Sequence, residues 1–396
     1  MQMSYEHDPN HPLTTAFPYF SPEEQEWLAG ELSQILNGML AMGPRVAQFE
    51  KEFAAYCGQP YGVAFPSCTS SMEAALLAFG VGPGDEVLVP VETFIATGMV
   101  VSLVGATPVF TEISASSFSM DFDDAWSRVT DKTRGAIVVH FGGFISPQLP
   151  AFVEKMRTSG RFVIEDAAHA PGAELNGKRA GSIGDAGCFS FYPTKIMSTG
   201  EGGMLVTGRE DIAKTVRSLQ HRGRDLDAPG ELYARAGRNN RFTEIAAAMG
   251  LSQLRSLPEF LANRRRVAAI YDEMLLGSEL FVPLLAEDGS VPSYWRYVAI
   301  PTVEIDRVAL RDRLAADKIT IDWAYDPPLH LQPVFQRTMG TRPGMLPHSE
   351  SILARHICLP VHARMRDQDA EFVAQRLLTH VTSLSTDYTD SIKQSV

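Results

Sequence analysis

The spacing of apolar residues changes near residue 61. Before it, two stretches repeat at helical spacing. In FSPEEQEWLAGELSQILNGML, Trp27, Leu28, Leu32, Ile35 and Leu36 recur every three or four residues, as one face of a helix requires. Ser21 is placed to cap that helix, Pro22 suits its first position, and Glu24 completes a capping box. GPRVAQFEKEFAAYCG reads as a second amphipathic helix ending before Gly58.

From about Tyr61, short apolar runs alternate with helical patterns. EVLVP (86–90), TPVF (107–110), RGAIVVHF (134–141), RFVIEDAA (161–168), DAGCFSFY (185–192) and GGMLVT (202–207) read as strands. TFIATGMVVSLVGA (93–106), FDDAWSRV (122–129), PAFVEKMRTSG (150–160) and a stretch from Glu210 read as helices. This alternation predicts right-handed crossovers and an α/β fold, with a mostly parallel sheet covered on both faces. From about Leu257 a smaller α+β part is expected. It contains a long helix over ANRRRVAAIYDEML, a strand over YWRYVAI, and helices over VALRDRLAADK and QDAEFVAQRLLTHV. Pro292, Pro301 and the Pro327-Pro328 pair mark turns. The expected division is an arm and large domain over residues 1–256 and a small domain over 257–396. Residues 1–15 read as a mobile arm.

Composition narrows the partners. A formal charge of -12 argues against nucleic acid or an anionic membrane as the main partner. No apolar run approaches the roughly 20 residues of a membrane span, and the polar opening MQMSYEHDPN lacks the form of a signal peptide. Cys57, Cys68, Cys188 and Cys358 are widely spaced, which disfavours a zinc site or a disulfide framework and fits a reducing cytoplasm. No metal ligand set is expected.

In open sheets of this kind ligands sit beyond the carboxyl ends of the strands. That rule points to His140, Asp166 and the turn from Ser190 to Lys195. Lys195 follows an apolar run and precedes STGEGG, whose small residues admit close approach of a ligand. A lysine desolvated there loses affinity for its proton and becomes a nucleophilic amine, as Schiff-base chemistry requires. Asp166, delivered by Phe162, Val163 and Ile164, offers a carboxylate to a positive charge such as a protonated pyridine nitrogen. PSCTSSMEAALLAFG places hydroxyls at a helix start, where backbone N–H groups bind phosphate, and Ser190 adds another hydroxyl. Phe94 is the candidate to stack on a flat ring. The basic run 263–267 reads as a solvated helix face, and His221 as a group that approaches the site from the next helix.

Together these segments resemble the DegT/DnrJ/EryC1/StrS aminotransferases, pyridoxal-phosphate enzymes that aminate keto sugars. The resemblance runs from LAMGPRVAQFEKEFA to HICLPVHARMRDQDAEFV and is most specific in VIEDAAHAPGAELNGKRAGSIGDAGCFSFYPTKIMSTGEGGMLVT. It implies fold type I, with a seven-stranded sheet. It implies that Lys195 forms the internal aldimine and shuttles the proton, and that Asp166 pairs with the pyridine nitrogen. His169 would stand near the ring hydroxyl, Thr69, Ser70 and Ser190 would hold the phosphate, and Phe94 would stack on the ring. It implies a homodimer in which Asn239, in GRNNR, contacts phosphate across the interface. The implied reaction moves an amino group from L-glutamate or L-glutamine, through pyridoxamine phosphate, to a nucleotide-linked keto sugar. Met39, Ala41 and Phe144 depart from the family pattern at expected acceptor walls, which keeps a ketone without nucleotide (an aminocyclitol or natural-product intermediate) as an alternative. A cofactor-binding sensor or scaffold without catalysis is the alternative from another class.

Overall fold

The structure is a computed structural model that describes Glu6, Asp8 and residues 11–394. Its central strands are β1 (Tyr61–Phe65), β2 (Glu86–Pro90), β3 (Thr107–Thr111), β4 (Thr133–Val139) and β5 (Phe162–Asp166). After a short hairpin, β6 (Glu174–Leu175) and β7 (Lys178–Arg179), come β8 (Ala186–Ser190) and β9 (Gly203–Thr207). The seven long strands form one sheet in the order β1-β9-β8-β5-β4-β2-β3. Only β9 runs against its neighbours: it pairs antiparallel with β1 and β8, and the remaining pairs are parallel. This is the mainly parallel α/β sheet that the alternation predicts. Buried Val, Ile, Leu and Phe fill the strands because helices cover both faces.

The helices are α1 (Pro22–Leu36), α2 (Pro44–Tyr56), α3 (Cys68–Ala78), α4 (Ile95–Leu103), α5 (Phe122–Ser127), α6 (Leu149–Thr158) and α7 (Glu210–Gln220). They continue with α8 (Glu244–Leu276), α9 (Arg307–Ala316), α10 (Pro333–Met339), α11 (Pro347–Leu353) and α12 (Asp367–Gln394). The capping box of α1 is present in full. α2 has no side-chain cap of its own. The buried carboxylate of Glu244 accepts from the N–H groups of Gly43, Arg45 and Val46 instead, at 2.9–3.0 Å. α8 carries the chain from the large sheet to a small antiparallel one, β10 (Phe281–Pro283), β12 (Tyr297–Pro301) and β13 (Ile357–Leu359), while β11 (Ser290–Val291) pairs with β6.

Several expectations need correction. The strand over YWRYVAI begins only at Tyr297, because Tyr294 takes a left-handed conformation (φ +49°) that ends an extended run. The basic run is no solvated face. Arg264 is buried and donates to the carbonyls of Tyr294 and Val361, and Arg265 donates to those of Pro292 and Gly172. Of the expected mobile arm, residues 1–5, 7, 9 and 10 lie outside the described residues. Leu13 and Thr15 are buried: Thr320 N–H donates to the Leu13 carbonyl and Thr15 Oγ1 to Asp322, at 2.8 Å each.

Candidate active site

Because β4, β5 and β8 are parallel, their carboxyl ends open on one side of the sheet, as expected. β5 delivers Asp166 and β8 delivers Ser190. Beyond Ser190 the chain turns, with Lys195 N–H donating to the Tyr192 carbonyl at 2.8 Å, before β9 returns antiparallel. Gly203, which opens β9, has a packing reason. A Cβ on Gly203 would lie 2.3 Å from the Ser67 carbonyl carbon and 2.5 Å from the Cys68 nitrogen, so only glycine lets β9 lie under the start of α3. His140 does not join the site. It is buried and bonds Glu165 at 2.8 Å, while Glu165 also takes the N–H groups of Gly181, Ile183 and Gly184. Burial alone would raise the Glu165 pKa, but those hydrogen bonds hold it below the usual value.

A cavity of about 590 Å³ lies above the strand ends. Thr69, Phe94, Asp166, His169, Ser190 and Lys195 line it, with Ser67 and Cys68 of the α3 start. Ser70 is one step back: its N–H donates to the Ser67 hydroxyl, which caps α3, and its own hydroxyl lies 3.0 Å from that oxygen. Phe94 is 55% exposed, so it faces the cavity and is no core residue. Asn239 and His221 do not line the cavity. Their backbones pair with each other and Asn239 is exposed. Met39, Ala41 and Phe144 do not line it either; Phe144 packs edge-on against Tyr294.

The electrostatics follow from burial. Asp166 Oδ2 accepts from Thr97 Oγ1 at 2.8 Å, and Oδ1 from Ala168 N–H at 3.2 Å. Since the Thr97 proton goes to Asp166, Thr93, 2.7 Å away, must donate to Thr97. Burial still raises the Asp166 pKa, against the lowering effect of these bonds and of Lys195. Burial pushes the Lys195 ammonium down to about 8, with Asp166 opposing and Arg296 assisting. Its Nζ sits 4.5 Å from the Trp295 ring centre. A buried carboxylate that retains accepting capacity gains most from a cationic partner. His169 Nδ1 is buried without a partner, as are Arg296 Nε and Asp322 Oδ1. Pyridoxal phosphate fits this set: its ring nitrogen suits Asp166, its ring oxygen suits His169 Nδ1, and its phosphate suits the α3 start.

Sequence reasoning missed the opposite wall, which consists of Trp295, Arg296, Asp322 and Tyr325. The Trp295 side of this wall is placed by docking. Ser293 and Trp295 N–H groups donate to the carbonyls of Gly143 and Gly142 at 3.1 and 2.8 Å. Gly143 has φ +90°, and a Cβ there would lie 2.1 Å from Ser293 Oγ. The available signals were the Gly142-Gly143 pair and the aromatic density of SYWRY and DWAYDPP.

The fold and this lysine–aspartate cavity define a class, the fold type I aminotransferases. The chain belongs to the DegT/DnrJ/EryC1/StrS aminotransferase family, whose model matches residues 22–378, and members of this family depend on pyridoxal phosphate. It is 36% identical to the GDP-perosamine synthase of Caulobacter vibrioides over 85% of this chain and 90% of that one. It is 34% identical to the dTDP-3-amino-3,4,6-trideoxy-alpha-D-glucose transaminase of Streptomyces venezuelae, over 82% and 84%. Among solved structures it is similar to the pyridoxal-phosphate form of a putative sugar aminotransferase, Spr1654, from Streptococcus pneumoniae. That match has a TM-score of 0.86 at 26% identity and covers 94% of this chain and 99% of that one. Among the described residues no cluster of His, Cys, Asp and Glu suits a metal, and no helix is long and apolar enough to cross a membrane.

Proposed function

We propose that this aminotransferase moves an amino group from L-glutamate or L-glutamine to the keto group of a nucleotide-linked keto-deoxy sugar. The observation that carries the reading is the placement of Lys195, Asp166 and the α3 start on the wall of one cavity. The names of the two relatives, one GDP-linked and one dTDP-linked, support the acceptor class. In the proposal Asp166 holds the protonated ring nitrogen of pyridoxal phosphate. Thr69, Ser70 and Ser190 hold its phosphate with the first amides of α3. Phe94 covers one face of the ring, and the partner's Asn239 reaches the phosphate. The cofactor supplies the electron sink for carbanion chemistry. Lys195, whose amine burial holds below its ordinary pKa, would take the α-carbon proton of the amino donor onto Nζ and deliver it to the carbon that is protonated as the amino group is transferred. Four free, buried cysteines support a reducing cytoplasmic setting. An acceptor without nucleotide remains the second reading; Met39, Ala41 and Phe144, which motivate it, do not line the cavity of their own chain.

The test is an absorbance spectrum of the purified protein with pyridoxal phosphate, before and after L-glutamate and then L-glutamine. A yellow band that bleaches with one donor identifies the donor, and Lys195→Ala lacks that response. The bleached enzyme is then offered nucleotide-linked keto sugars and the same ketones without nucleotide. Return of the band with a free ketone, and with no nucleotide sugar, overturns the acceptor class.

A further inference from the structure

Tyr325 has a left-handed backbone conformation, φ +63°, which is strained for a bulky residue. Its ring lies near-parallel to the His169 imidazole, 14° between planes and 5.8 Å between centres. Its hydroxyl is 2.8 Å from His169 Nε2. Trp295 stacks on the same imidazole at 3.6 Å and 7°, and is itself fixed by donation from Nε1 to the Thr194 carbonyl at 2.7 Å. The imidazole is thus held in plane by one residue and at one nitrogen by another. What these contacts must still decide is which nitrogen carries the proton.

We propose that Tyr325 is a positioning residue whose hydroxyl donates to His169 Nε2 and holds the imidazole as the Nδ1–H tautomer, so that a hydrogen-bond donor faces the ring oxygen of the cofactor. The cofactor half of this statement rests on the function proposed above. Counting partners favours this direction. If the phenol donates, its single proton is used and only Nδ1–H awaits a ligand. If Nε2–H donates instead, the phenol proton and the buried Nδ1 lone pair both go unused within the chain, two unpaired groups against one, and a buried orphan is costly. Burial, reinforced by Lys195 and Arg296, holds His169 neutral by keeping its pKa well below the usual value. Burial, with Asp166, keeps the Tyr325 phenol protonated. A donor at Nδ1 favours the ionised ring oxygen, whereas an acceptor there favours the protonated one.

The tautomer is measured first without cofactor, by long-range proton–nitrogen correlation in protein labelled with 15N-histidine. Loss of the signal in His169→Gln assigns it. The wild type is expected to show Nδ1–H, and Tyr325→Phe, which keeps the ring and removes one oxygen, is expected to lose that preference. With pyridoxal phosphate bound, Tyr325→Phe should shift absorbance several-fold from the yellow form towards the near-ultraviolet form. It should also raise the cofactor's dissociation constant about tenfold, the scale of one hydrogen bond. An Nε2–H tautomer in the wild type overturns the proposal, and this is read without any variant. An unchanged tautomer or an unchanged band ratio in Tyr325→Phe also overturns it. A wild type with no cofactor band at all rejects the proposed function instead, because the tautomer is read independently of it.

Discussion

Lys195 is where burial becomes chemistry. An ordinary lysine amine is protonated up to about 10.5, but the surroundings of this one bring it to about 8. In cofactor-free protein, the rate of condensation with a small aldehyde should therefore rise with a midpoint near pH 8, and Lys195→Ala should remove that phase. A midpoint near 10.5 would refute the desolvation. The linkage has a definite sign. Between about pH 8 and 10.5 the unfolded chain binds this proton and the folded chain does not, so Lys195 opposes folding below 8 and that penalty fades as pH rises to 10.5. Lys195 and Asp166 were legible in the sequence because each follows directly from the end of an apolar strand. Thr97, Trp295 and Tyr325 were not. Thr97 matters through a bond to a residue 69 positions away, Trp295 is placed by the docking of residues 293–295 on Gly142 and Gly143, and the segment of Tyr325 is held by backbone pairing of Asp322 with Cys358.

Strands and helices were read best where apolar runs are long and bounded by turn residues. EVLVP forms β2 with the predicted ends, and the capping box sets the start of α1. Readings failed where tertiary contacts rule. YWRYVAI alternates like a strand, yet Tyr294 turns left-handed to pass its neighbours to the glycine pair. The basic run lies on α8, but Arg264 and Arg265 reach backbone carbonyls of other segments. The opening loop of β9 offers a test of how elements build the site. In Gly203→Ala the new Cβ meets backbone of Ser67 and Cys68, which cannot rotate away as a side chain can. The expected cost is about 2 kcal/mol in urea unfolding, the size of an overpacking defect. Affinity for pyridoxal phosphate should fall as well, since the α3 start must shift. Unchanged stability with unchanged affinity would show that β9 does not set the position of that helix.

At the scale of the whole molecule, one chain leaves apolar side chains exposed on α3 and α4. Leu77 and Leu103, both exposed, share a depression of about 320 Å³ with residues 236–238 and Asn240. Arg238 bonds Glu73 of α3 at 3.0 Å, which holds this loop to the helix whose first turn lines the cavity. Phe94, Leu226, Leu232 and Tyr233 are exposed too. These features support the proposed homodimer with Asn239 serving the partner's site. Mixing an inactive variant with a weakened one tests it. Lys195→Ala keeps Asn239, and Asn239→Ala keeps Lys195. In a hybrid dimer the site containing Lys195 regains the partner's Asn239, and the other site has neither. Random mixing at equal amounts makes half the dimers hybrid, so about a quarter of the sites, and of wild-type activity, should return. Asn239→Ala alone should lose roughly tenfold in kcat/KM, the scale of one charge-assisted hydrogen bond. If Asn239 acts within its own chain, the mixture will show no more than the average of the two variants. The same sample weighed by sedimentation must then decide whether the apolar face joins two chains at all: a monomer at micromolar concentration would leave the site to one chain, and Asn239 would have no route to it.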